Sequence, residues 1–131
     1  MIAPDSRYGT EVRRRMRELP QAGAIAAATR DVCVGRAGSE SQGALVELSL
    51  HVVADRVAEA RFRAYGCPHL VASTSWLAER LRGLTRAEVE RWDWREAQVA
   101  LDVPPAKFGR LLTLQDAARD AARNWPTTAA V

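Results

Sequence analysis

The chain has 131 residues, 47% of them apolar, enough for one domain with a core of its own, and no shift in composition divides it. A formal charge of +3, with arginines mostly interleaved with acids as in Arg86-Ala-Glu88-Val-Glu90-Arg91, argues against a nucleic-acid-binding surface. Two cysteines, Cys33 and Cys67, are too few for a disulfide framework or for a four-cysteine metal site within one chain, and no apolar run reaches the roughly 18 residues of a membrane span.

In chain order, Tyr8, Val12, Met16 and Leu19 recur at helical spacing and stop before Pro20, which predicts a short amphipathic helix followed by a linker over residues 21–29. From Asp31 the period falls toward two. Val32 and Val34 share a face of a first strand. Val46, Leu48 and Leu50 alternate with Glu47, Ser49 and His51 in a second, and residues 57–65 make a third, with Ala54-Asp55-Arg56 as the hairpin turn. After Cys67 the pattern is helical, with Leu70, Leu77 and Leu81 on one side and Gly83 as the stop. Thr85-Arg-Ala-Glu88 has capping-box spacing and Asp93-Trp-Arg-Glu96 repeats it, predicting two short helices. Pro104 and Pro105 then break the chain, and Leu111, Leu114, Ala118, Ala121 and Trp125 stripe a long last helix. The expected fold is α+β: an N-terminal helix, a three-stranded antiparallel sheet, then C-terminal helices packed on it. Residues 1–131 read as a single domain with its ordered core over 8–125.

The chemistry concentrates around Tyr65-Gly66-Cys67-Pro68-His69, where a strand ends, turns and opens a helix. Cys67 as N-cap, with Pro68 at the first helical position, puts a thiol at the positive end of the helix dipole, which favours its thiolate as persulfide acceptor or metal ligand. Equally, it suits a small packed residue in a tight turn. His69, in the first turn two residues on, reads as a neutral ligand or as a surface or packing residue, and His51 as a surface residue. Trp76, Trp92 and Trp125 read as packing residues and Trp94 as exposed at an interface. Lys107 is the sole lysine and follows the two prolines, which hold an extended segment suited to recognition as a peptide. With no phosphate-binding loop, catalytic triad or paired carboxylates, hydrolase and transferase readings have no anchor, and the chain is expected not to be an enzyme. The start lacks the apolar segment of a signal peptide, so a cytoplasmic location is expected.

Residues 60–75 resemble the Tyr-Gly-Cys-Gly turn and following small-residue helix of the IscU/NifU family, the scaffolds on which iron–sulfur clusters are assembled. Tyr8-Gly-Thr-Glu-Val resembles that family's opening helix, and residues 43–50 its second strand. Val103, Pro104, Pro105, Ala106 and Lys107 resemble its Leu-Pro-Pro-Val-Lys segment, which an Hsp70-type chaperone grips when a finished cluster is handed on. The likeness runs over residues 8–125. It implies a cluster-assembly scaffold with Cys67 and His69 as cofactor-binding residues, Cys67 as metal ligand, residues 103–107 as a partner segment, and a cysteine desulfurase and an Hsp70-type chaperone as partners.

Scaffolds of the family hold the cluster with three cysteines, an aspartate and a histidine, of which this chain matches the middle cysteine, Cys67. Aligning the second strand puts Gln42 and Ala44 where the first cysteine and the aspartate stand, and aligning the prolines puts Gly109 and Arg110 where the family has His-Cys. A [2Fe–2S] centre needs four ligands. A homodimer would join two Cys67 thiolates and two His69 rings, or small thiols such as glutathione would complete the set. Iron alone, or zinc held by Cys67, His69 and an acid, are the other metal readings. The alternative function is an adaptor or modulator that binds no cluster yet docks on the same desulfurase or chaperone. A thiol enzyme using Cys67 as nucleophile stands third.

Overall fold

The computed structural model describes residues 8–25 and 30–126. It contains α1 (Thr10–Glu18), β1 (Val32–Ser39), β2 (Ala44–Val53), β3 (Arg56–Tyr65), α2 (Pro68–Arg80), α3 (Arg86–Glu90), α4 (Arg95–Leu101) and α5 (Phe108–Arg123). Short 3-10 turns occupy Glu40–Gln42 and Pro105–Lys107.

The three strands form one antiparallel sheet in the order β1-β2-β3. Alternation along β2 aims Ala44, Val46, Leu48, Leu50 and Val52 into the core. Opposite them in register stand Cys33, Gly35, Phe62 and Ala60. Val32 and Val34 do share a face of β1, but it is the other one; the core-facing residues are Cys33 and Gly35. A Cβ on Gly35 would lie 2.2 Å from the Ala117 carbonyl oxygen and 2.4 Å from the Ala121 nitrogen, so α5 rests directly on β1 through a glycine and two alanines. The β2–β3 hairpin turns at Ala54 and Asp55, both at positive φ, 51° and 63°, the combination of a type I′ turn. Trp125 fastens the far end of α5 to this turn through an Nε1 hydrogen bond of 3.0 Å to Asp55.

The inner face of the sheet carries α2 and α5 in a two-layer arrangement, and the described residues share one core cluster running from Val12 to Trp125. Leu70, Leu77 and Leu81 of the α2 segment, and Leu111, Leu114, Ala118 and Ala121 of α5, are fully buried. Small polar residues on α2 admit α1: buried Arg15 bonds Ser75 at 3.3 Å, Glu11 at 2.6 Å and Glu79, while Ser75 donates to the Pro20 carbonyl at 2.8 Å. Among the described residues no helix is long and apolar enough to cross a membrane.

Two expectations need correction. The predicted linker is partly sheet-like: Ala22 bridges Phe62 in parallel, with Phe62 donating to the Gln21 carbonyl and Gly23 to that of Phe62, so the chain borrows the free edge of β3; residues 26–29 lie outside the described residues. The capping box at Thr85 and Glu88 forms in both directions. At Asp93 it does not form: Trp94 is the N-cap of α4, the Asp93 carboxylate accepts from the Arg95 N–H two residues on at 2.8 Å, and Glu96 turns away to pair with Arg80.

Candidate functional site

Three segments converge where β1 hands over to β2 and β3 to α2: the β1–β2 connection, the Gly66 turn and the start of α5. Gly66 has φ 156°, and a Cβ there would lie 3.1 Å from the Gly43 carbonyl oxygen and 2.7 Å from Leu70, so this turn is pressed against the β1–β2 connection and needs glycine. From the other side, Arg110 near the start of α5 donates from Nη1 to the Gln42 carbonyl at 3.3 Å. The positions aligned above with three of the family's ligands, Gln42, Ala44 and Arg110, thus gather beside the turn that leads into Cys67. The fourth, Gly109, is exposed on the first turn of α5.

Cys67 is the N-cap of α2, in extended conformation, with Pro68 in the first turn. Its carbonyl accepts from Val71 at 3.1 Å and its side chain makes no capping bond. The thiol is free and half-buried, and the first-turn N–H groups of a helix are the ones without intrahelical partners.

His69 is a packed residue rather than a surface one, at 4% exposure, with the Tyr8 ring 4.9 Å away and tilted 54°. Burial, and then the charge of Lys107, push its pKa below the usual histidine value of 6.5, so the ring is neutral at pH 7. Its Nδ1 is buried without a hydrogen-bond partner. Lys107 is thus within electrostatic reach of this ring, which spacing along the sequence does not reveal.

The segment expected to meet a partner, residues 103–107, is not extended throughout. Pro104 is extended (φ −71°, ψ 154°), but Pro105–Lys107 wind into a 3-10 turn instead of continuing as a strand, and Val103 is buried at 1% exposure. The surface it offers is therefore Pro104, Pro105 and Ala106, all exposed, with half-buried Lys107. Trp94, expected at an exposed interface, is half-buried against Phe108, centroids 4.7 Å apart, with Arg95 over its ring. His51 is half-buried on the outer face of the sheet.

Among the described residues no group of three or more His, Cys, Asp or Glu side chains is placed to hold a metal ion. A zinc site of Cys67, His69 and an acid therefore lacks its third donor there. Cys33 cannot supply the want: it lies on the core face of β1, six residues back from the strand's end at Ser39, roughly 20 Å along an extended chain. Burial pushes its thiol up to about 11, against the opposing charge of Arg86.

An antiparallel sheet backed by helices, with a glycine turn delivering one thiol to a helix start, defines a thiol-presenting α+β domain. Residues 7–130 match the model of the NifU-like N terminal domain, and the chain belongs to that family. It is 30% identical over 104 residues to the iron–sulfur cluster assembly scaffold protein IscU of Azotobacter vinelandii, covering 79% of this chain and 81% of that one. To the iron–sulfur cluster assembly protein IscU of Plasmodium falciparum it is 26% identical over 118 residues, 90% of this chain and 73% of the relative. The N-terminal part of a NifU-like protein from Brucella abortus has the same fold, with a TM-score of 0.65 at 18% identity, over 88% of this chain and 92% of that one.

Proposed function

We propose that this chain is a scaffold-like protein of iron–sulfur cluster assembly, not an enzyme, whose one working protein donor is Cys67. The observation that carries this is the place of that thiol: free, half-buried, at the start of α2, at the end of the sheet where the family's ligand positions gather. Its relatives' names supply the pathway.

The cluster is cargo here, and one thiolate per chain leaves three ligand positions to be filled from outside, by a second copy of the chain, by small thiols or by a partner. Arg110 adds a permanent cation where the family resemblance has a cysteine, and Lys107 adds another nearby. These cations suit the arrival of anionic sulfur better than that of bare Fe²⁺. We therefore place sulfur uptake first: a cysteine desulfurase passes the outer sulfur of its persulfide to the Cys67 thiolate and recovers its own thiolate, with no net oxidation. The exposed prolines and Lys107 support an Hsp70-type chaperone as the second partner, and a reducing cytoplasm would keep both thiols free.

The test is sulfur transfer. A cysteine desulfurase from the same organism, given cysteine anaerobically, is expected to add sulfur to this protein at Cys67, read by peptide mass after alkylation, and to add none to Cys67→Ser. Sulfur found on Cys33, or no transfer to the wild type, would overturn the reading.

A further inference from the structure

The opposite end of the molecule carries a feature that the assembly role does not use. α3 packs against the C-terminal part of α5, and between them opens a groove of about 740 Å³ lined by Arg86, Glu90, Arg91, Arg119, Ala122 and Arg123. Arg119 lies two and a half helical turns beyond Arg110 along α5, roughly 14 Å, so the groove is separate from the Cys67 end.

Four arginines face one glutamate in this groove. Arg86 is held in place by its Nε bond of 2.8 Å to the Ala122 carbonyl at the negative end of α5, and Arg123 pairs with Asp120 at 2.8 Å. Arg91 and Arg119 are exposed and have no carboxylate at ion-pairing distance among the described residues, whereas nearby Arg80, Arg95 and Arg123 each have one. Unpaired guanidinium forks beside a fixed one form a surface ready for bidentate contact with carboxylates.

We propose that this groove docks an acidic, Asp/Glu-rich segment of a partner protein, with Arg91 and Arg119 pairing its carboxylates. Charge and size select this occupant. The purely basic stretch is short: the next groove beyond Arg91 mixes Glu88, Asp93 and Glu96 with Arg80, and Glu90 stands on the near rim. A nucleic-acid backbone, charged at every nucleotide, would run onto those acids, and no aromatic ring lines the groove to stack a base. A few carboxylates in a row fit the patch. The role complements the thiol end: a partner held here leaves Cys67 unobstructed.

The experiment is fluorescence anisotropy of a short fluorescein-labelled oligoglutamate peptide at low salt. The wild type is expected to bind with an affinity that falls as salt rises, and the double variant Arg91→Ala, Arg119→Ala to lose about tenfold. Arg61→Ala, Arg63→Ala on the outer sheet face, an equal change of charge, is expected to bind as the wild type does, and thermal melts establish that all three are folded. No binding by the wild type, equal loss in both double variants, or tighter binding of oligothymidylate or tripolyphosphate than of the peptide would overturn the proposal.

Discussion

Cys67 and Cys33 stand toward opposite ends of one sheet and show how little the identity of a residue says about its chemistry. Cys67 caps a helix, half-buried, behind a glycine turn pinned to the β1–β2 connection. Cys33 sits on a strand's core face at 4% exposure, opposite Leu50, where burial opposes ionisation. The difference comes from what each backbone position touches. A helix start leaves N–H groups open and brings the thiol to the surface, while the interior of a sheet closes both off. The thiol end is built from turns and helix starts, the other from close packing of β1 on α5.

The contrast can be broken first by reactivity, where the effect is largest. Iodoacetamide at pH 8 is expected to label Cys67 at least about a hundred times faster than Cys33 in the folded protein, the gap closing in denaturant. With a pKa of about 11, Cys33 is about one part in a thousand ionised at pH 8, and its labelling should climb as pH rises toward that value. Comparable rates at the two thiols in native protein would remove the distinction.

Packing sharpens it next. Gly35→Ala places a methyl group against backbone atoms of α5 that no side-chain rotation can clear, and is expected to cost about 3 kcal/mol in denaturant unfolding. An unchanged midpoint would mean that α5 rests less tightly on β1 than described. Labelling of Cys67 in the surviving folded fraction should stay fast, because the strain lies at the other end.

Much of the fold was legible from local rules. The alternation in β2, the Thr85 box and the α5 stripe each need only neighbours in sequence, and each holds. Where expectation failed, a distant group intervened: Arg80 drew Glu96 out of its box, and the edge of β3 recruited the segment around Ala22. The site divides the same way. The Gly66-Cys67 turn is a short-range signal, but the burial of His69 depends on Tyr8, and the place of Arg110 depends on a carbonyl 68 residues earlier in the chain. Spacing gives the phase of a helix or strand; it does not say what packs on it.

The account rests on Cys67 as the donor through which a cluster is carried. Anaerobic reconstitution with ferrous iron and sulfide in the presence of glutathione, followed by visible absorbance and iron-to-protein ratio, tests this directly on the wild type, Cys67→Ser and Cys33→Ser. A chromophore in the wild type and in Cys33→Ser, absent from Cys67→Ser, is the predicted result. A chromophore that survives Cys67→Ser, or none in any of the three proteins, would contradict it.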